Sequence, residues 1–161
     1  MPNNCFYLLL AVLFVSTLTA CSSDSELTVG GRCGQVLSIV PGEEVIGILE
    51  NGDCTAEVVY PDQSGGDASF LDEYSITLPA NGILTITMAS ESVNPFLFLV
   101  STSNSCSDGC STSIIIKSDD DSGAGQNAFI TMDLAAGTYG IQANALGPTS
   151  GAYSLQTTFT P

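Results

Sequence analysis

Histidine is absent from the chain, and only Arg32 and Lys117 carry positive charge. The first absence excludes every Ser-His-Asp and Cys-His arrangement, because both need an imidazole base. The second excludes a surface that follows a phosphate backbone, so no nucleic-acid partner is expected. Against those two cations stand 17 carboxylates, for a formal charge of −15. Such an imbalance keeps a protein soluble and favours bound cations over anionic partners. No Gly-Lys-Ser/Thr phosphate loop occurs, and Gly123-Ala124-Gly125 lies beside three aspartates that repel phosphate. Helix signals are missing too. Beyond residue 20 no apolar spacing of three and four is sustained.

One long apolar run exists, from Cys5 to Ala20. It is short for a membrane span, and its place is that of a signal peptide. It ends in Leu18-Thr19-Ala20-Cys21, which resembles the lipobox of bacterial lipoproteins. That resemblance implies diacylglycerol transfer to Cys21, cleavage before it, and N-acylation. Ser22 follows rather than Asp, which by resemblance to the sorting rule of enteric bacteria points to the outer membrane. An ordinary signal peptide cut near Ala20 is the plainer alternative. Residues 1–20 contain no charged side chain, so the whole charge belongs to the exported part. Residues 21–34 read as a polar tether, and residues 35–161 as one domain with a real core.

Of six cysteines, Cys33, Cys54, Cys106 and Cys110 lie in the folded part. An even number in an exported chain reads as two disulfides, for which three pairings are open. Cys106-Ser107-Asp108-Gly109-Cys110 looks like a loop clipped at its own neck. Cys33 is then left with Cys54, and closing that loop stabilises by roughly 3 kcal/mol in the chain-entropy model. A four-Cys zinc site is the rival, but the spacing is not a zinc ribbon's and no His is available.

The rest of the chain is a series of β-rich runs between turn signals. Strands are expected at residues 35–40, 45–49, 56–60, 73–78, 83–89, 96–101, 113–117, 128–134, 138–143 and 152–159. Tyr74, Ile76 and Leu78 alternate with polar residues, as do Leu84, Ile86 and Met88. Ile130, Met132 and Leu134 do the same, as do Tyr139 with Ile141 and Tyr153 with Leu155. One wet face per strand is the mark of an antiparallel β-sandwich, here jelly-roll-like, with Tyr74, Ile76, Leu84, Ile86, Leu97, Leu99, Ile130, Met132, Tyr139, Ile141, Tyr153 and Leu155 inside. Phe96 to Val100 and Ile114 to Ile116 are apolar on both faces. Such runs are either covered on both sides or part of a partner surface. Gly137 sits where a tight turn wants positive φ.

The order of short motifs resembles the bacterial pre-peptidase C-terminal domain, a small β-sandwich. Pro41-Gly42 is its opening turn, Gly47-Ile48-Leu49 its Gly-x-Leu, and Asp53 the nearby Asp. Asp72-Glu73-Tyr74 is its Asp-x-Tyr strand. Asn94-Pro95-Phe96-Leu97-Phe98-Leu99 stands where the family has Asp-Pro-x-Leu-x-Leu, with Asn for Asp. Asp119-Asp120-Asp121-Ser122-Gly123 matches its Asp-Asp turn. Ala136-Gly137-Thr138-Tyr139 and Gly151-Ala152-Tyr153-Ser154-Leu155 close the series. The resemblance implies a non-catalytic domain, usually an appendage of secreted peptidases, some of whose relatives bind calcium or an extracellular polymer such as collagen. A fold alone fixes no function.

The acidic stretch is the densest polar cluster. Asp121-Ser122-Gly123 matches the core of aspartic peptidases, which need two carboxylates sharing a proton. Here only one copy exists, and the residues before it (Lys117-Ser118-Asp119-Asp120) are not an apolar strand. Calcium is the stronger reading, because Asp119, Asp120 and Asp121 with nearby carbonyls offer the oxygens a hard cation wants. An acidic turn bonded to its own backbone is the plain alternative. Taken together, the sequence implies a non-enzymatic, lipid-anchored envelope domain with a binding or scaffolding role. Its partners are then the membrane, through Cys21, and an extracellular polymer or envelope protein. A carboxylate hydrolase using Asp119 or Asp121, or an accessory domain of a secreted peptidase system, is the alternative. Cys21→Ser should release the protein into the soluble envelope fraction, since stable anchoring needs more than one lipid chain. Unchanged membrane partitioning would count against the lipobox.

Overall fold

The computed structural model describes residues 28–29, 34–56, 68–103 and 112–161. Among them run eleven strands: β1 (Thr28–Val29), β2 (Val36–Ile39), β3 (Glu44–Leu49), β4 (Cys54–Thr55), β5 (Phe70–Leu78), β6 (Gly82–Ala89), β7 (Pro95–Ser103), β8 (Thr112–Asp119), β9 (Ala128–Leu134), β10 (Gly137–Ala145) and β11 (Gly151–Thr160). One sheet has the order β1-β3-β11-β6-β9. The other has the order β2-β5-β10-β7-β8, with β4 paired to the start of β5. The eight long strands, β3 and β5 to β11, nest as in a jelly roll. β3 pairs with β11, β5 with β10, β6 with β9 and β7 with β8, all antiparallel. The sandwich expected from the alternation is the one observed.

The period of two decides which side chains meet between the sheets. Leu84, Ile86 and Met88 of β6 face Ile76, Leu97, Leu99 and Ile141 from the other sheet in one apolar cluster. Each such Leu or Ile contributes about 1.5–3 kcal/mol by leaving water. On the solvent side of the same strands, the Thr85 hydroxyl bonds that of Thr131 across β6 and β9 at 3.2 Å. Ten of the twelve residues named for the interior are buried there. Met132 and Tyr139 are only half-buried and pack at the margin of the cluster. Met132 lies on edge strand β9. Tyr139 ends at the turn before it, its hydroxyl donating to the Ala135 carbonyl at 3.0 Å. Gly137, in that turn, has the expected positive φ.

Three other expectations shift. Thr28–Val29, placed by sequence in a tether, pairs in parallel with β3. Of the strand expected at 56–60 only Ala56 lies among the described residues, and it follows β4 without being part of a strand. The doubly apolar run Phe96 to Val100 does not have two fully covered faces. Leu97 and Leu99 point inward and are buried, while Phe96 and Phe98 are half-buried on the outer face with ring centroids 4.8 Å apart. Beside them β8 is an edge strand, with Ile114 54% exposed. A bulge between Leu99 and Val100 breaks the β7–β8 register.

One polar chain crosses the core. The Tyr153 hydroxyl, from one sheet, donates to Asp72 Oδ2 in the other at 2.6 Å. Tyr153 has then used its proton, so the Tyr74 hydroxyl, 2.6 Å away, donates to Tyr153. Asp72 is 1% exposed, and a carboxylate so deep is tolerated only when it is hydrogen-bonded. Gly47 lies beside Tyr153 in the β3–β11 register, and a Cβ there would overlap the Tyr153 ring. Three of the sequence motifs, Gly-x-Leu, Asp-x-Tyr and Gly-x-Tyr-x-Leu, therefore meet in one contact.

Burial pushes the Tyr74 hydroxyl up to about 12, against the opposing hydrogen bond with Tyr153 and helped by the charges of Asp72 and Asp53. Burial first, then Tyr74 and Asp72, push Tyr153 up as well. Both folded values lie above the unfolded value of 10.0. The contribution to stability is therefore complete below pH 10 and is lost as pH rises, when only the unfolded tyrosines ionise. The loss is about 1.4 kcal/mol per pH unit for each tyrosine. Tyr153→Phe should destabilise by about 1–3 kcal/mol, by removing a donor to a buried carboxylate, and should make the alkaline loss shallower. Gly47→Ala should cost about 1–3 kcal/mol by overpacking. Urea unfolding at neutral pH and above pH 10 measures both effects.

Candidate functional site

Because long strands alternate in direction, four described connections collect at one end of the sandwich. They are residues 50–53, 90–94, 120–127 and 146–150. The first three are each held by a side chain that bonds backbone, and the fourth by backbone bonds. In the first, Asp53 Oδ2 accepts from the Glu50 N–H at 2.6 Å, and the Asp53 N–H returns to the Glu50 carbonyl at 3.2 Å. Desolvation pushes the Asp53 carboxyl up, the Glu50 N–H pulls it down, and the Glu50 charge adds to the rise. In the second, Ser90 is the hub. Its Oγ accepts from the N–H groups of Ser92 and Val93 and donates to the Ala152 carbonyl at 2.7 Å. In the fourth, the Leu146 N–H bonds the Asn94 carbonyl at 2.8 Å, which ties the second connection to the fourth.

The third connection is the acidic stretch. Asp119 is the last residue of β8, and its Oδ2 accepts from the N–H groups of Ser122 (3.1 Å) and Phe129 (2.8 Å). Asp120 Oδ1 accepts from the Asp121 N–H at 2.9 Å. Gly123 N–H bonds the Asn127 carbonyl at 2.8 Å, and a Cβ at Gly123 would crowd that carbonyl. Burial opposes the Asp119 charge. It is outweighed by hydrogen bonds from the Ser122 hydroxyl and the two N–H groups and by Lys117, so the carboxyl is held below its ordinary 3.8. Asp119 and Asp120 are half-buried and Asp121 is exposed. Among the described residues, no group of three or more Cys, Asp or Glu side chains is arranged to hold a metal ion.

Between the second, third and fourth connections lies a groove of about 520 Å³. Ser90, Glu91, Ser92, Val93 and Asn94 form one wall, Ala124, Gly125, Gln126 and Asn127 the other, and Leu146 and Thr149 the end. Asn94 Oδ1 is buried here without a hydrogen-bond partner. The acidic stretch thus contributes to a site, but through residues 124–127 rather than through its aspartates. Ser92, Gln126, Leu146 and Thr149 were not legible as site residues, since no motif links three segments so far apart. The exposed Leu146 (53%) after a buried strand is the one local signal. Cys54 is buried and disulfide-bonded. Cys21, Cys33, Cys106 and Cys110 lie outside the described residues.

No family model and no curated protein sequence matches the chain. Solved structures do. The pre-peptidase C-terminal domain of a collagenase from Bacillus anthracis superposes with a TM-score of 0.53 at 12% identity, over 79% of this chain and 98% of that one. The surface-associated copper-binding protein CorA of Methylomicrobium album BG8 gives 0.51 at 10%, over 82% and 100%. PliG of Aeromonas hydrophila, a periplasmic inhibitor of g-type lysozyme, gives 0.48 at 13%, over 82% and 100%. At such identities the likeness is one of fold. The chain has the β-sandwich fold of a pre-peptidase C-terminal domain, as its motif order implied.

The depressed Asp119 carboxyl makes a signed prediction. Its contribution to stability is present above the unfolded value and is lost as pH falls through the lower folded one. Asp119→Ala should cost about 1–2 kcal/mol near neutral pH, and Asp119→Asn should flatten the acid limb of the stability curve. Melting the wild type from neutral pH down to about pH 2 tests this. An Asp119→Asn curve that parallels wild type would remove the carboxylate's role in the turn.

Proposed function

We propose that the chain is a non-catalytic binding module of the bacterial cell envelope, anchored through lipid on Cys21, and that it binds through the groove between the three loops. One observation carries this reading. The carboxylate that offered the best prospect of chemistry, Asp119, is bonded to the backbone of its own turn and held below its ordinary value, whereas the groove beside it is open and polar. A general acid or base works best with a pKa near the working pH, and Asp119 has been moved the other way. That argues for binding over a carboxylate hydrolase. Loops carried on a rigid sandwich are also where binding residues usually sit.

The finer parts of the proposal have separate support. The outer-membrane address rests on Leu18-Thr19-Ala20-Cys21-Ser22. Pairing of Cys33 with Cys54 and of Cys106 with Cys110 rests on spacing. A calcium ion at Asp119, Asp120 and Asp121 rests on the density of carboxylates. It becomes part of the function only if calcium raises the melting temperature beyond sodium chloride of matched ionic strength.

Purified full chain, labelled and mixed with envelope fragments, should be retained on sedimentation in a saturable way. Unlabelled chain should compete, and no soluble fragments should be released from the envelope. Retention that never saturates would overturn the binding reading. Steady release of fragments, abolished by Asp119→Asn or Asp121→Asn, would establish the hydrolase instead.

A further inference from the structure

We infer that the groove takes a neutral oligosaccharide, a ligand class that rests on the binding role proposed above. The lining decides the chemistry. Ser92 and Thr149 bring hydroxyls, and Gln126 and Asn127 bring amides. A hydroxyl or an amide presents both a donor and an acceptor, as each sugar hydroxyl does, whereas a charged group presents only one of the two. Leu146, 53% exposed at the end of the groove, offers an apolar patch for the C–H face of a sugar ring. At about 520 Å³, the groove lies within the size range of small-ligand sites and stays open to solvent along one side. An open side suits a chain that passes through rather than a compact ligand that must be enclosed.

The same lining argues against other ligands. It contains no Lys or Arg, and Glu91 stands on its wall with Asp119, Asp120 and Asp121 in the adjoining turn. Phosphates and uronic acids would meet repulsion there. With only Val93, Leu146 and Ala124 apolar, the groove is too polar for a lipid chain. The wall that carries Gln126 and Asn127 is held by the Asp119 turn and by the Gly123 to Asn127 bond, so the backbone that presents the amides is in place before a ligand arrives. A pre-formed wall lowers the ordering cost of weak polar binding.

Full chain labelled with nitrogen-15 should be titrated with chitotriose, maltotriose, a hyaluronan tetrasaccharide and trilysine. Saturable shifts at the backbone amides of Ser92, Gly125, Gln126 and Thr149 are expected with at least one of the two neutral sugars, with millimolar or tighter affinity. Hyaluronan should bind about tenfold more weakly or not at all, because its carboxylates face the acidic wall. Gln126→Ala combined with Thr149→Ala should weaken the neutral sugar about tenfold through the loss of two hydrogen bonds, with an unchanged melting temperature. Silence of the groove amides with both neutral sugars overturns the inference. So does equal binding of hyaluronan, saturable binding of trilysine alone, or sugar binding untouched by the double substitution. A chain that is silent to the sugars yet still retained by envelope fragments loses only this ligand class, and the binding role stands. Loss of both removes the two together.

Discussion

A buried carboxylate is the constraint around which the two sheets are arranged. Asp72 would be too costly between apolar layers without strong donors, and Tyr153, 81 residues away, supplies one across the sheet interface. Tyr74 supports Tyr153 in turn, so the three groups polarise one another in a medium of low dielectric. The contact also acts as a register lock. A slip of one residue in β11 would carry Tyr153 to solvent and leave Asp72 facing hydrocarbon. Gly47 belongs to the same device, because the space left by its missing side chain is where the Tyr153 ring lies. Hydrophobic burial explains why the sheets pack; this hydrogen-bonded chain explains why they pack in one alignment.

The two ends of the sandwich are built differently. At one, the turn before β10 is tight and closed, with the Ala136 N–H held by Asn81 Oδ1 at 2.9 Å and the Tyr139 hydroxyl held by Ala135. At the other, three of the four connections are braced by a side chain, Asp53, Ser90 or Asp119, and the fourth is tied to the second through the Leu146 N–H. Bracing of that kind keeps loops apart without filling the space between them, and a groove results. The acidic turn is then less a site than a buttress: its carboxylate holds the backbone that presents Gln126 and Asn127. Its charge still matters at longer range, since it repels anions and attracts cations.

Charge is scarce in its positive form, and the one cation among the described residues has a defined position. Lys117 on edge strand β8 reaches the Thr131 carbonyl on edge strand β9 at 3.3 Å, where the sandwich is open. An exposed contact of this kind adds little to stability. It does place the ammonium beside Asp119, whose charge it favours. Elsewhere among the described residues the exposed ionic groups are carboxylates, set among hydroxyls, amides and a few exposed apolar side chains such as Val40 and Ile114.

Much of the fold was legible in the sequence because the strand period is strict. Tyr74, Ile76, Leu84, Ile86 and Leu155 alternate with Ser and Thr, and local alternation is enough to assign the inner face before any partner is known. Gly137 and Ala136 could be read as a turn for the same reason, since turn chemistry is local. What lay beyond the sequence depends on neighbours. Met132 and Tyr139 carry the right pattern but sit at the margin of the core, Met132 on edge strand β9 and Tyr139 beside the turn that opens β10, and a pattern does not report where an element lies in its sheet. Phe96 and Phe98 look like core residues, yet their strand has only one covered face. Asp53, Asp72 and Tyr153 could be named as motif positions, but not as two devices, one closing a turn and one bolting the sheets. The groove was least legible of all, because segments about 30 and 20 residues apart meet there only through strand pairing. The sequence by itself determined the strands, their inner faces and the sign of the charge, all of them local or additive properties. The tertiary structure alone decided which polar groups are shared between sheets and where the loops leave a space, because both depend on contacts between distant parts of the chain.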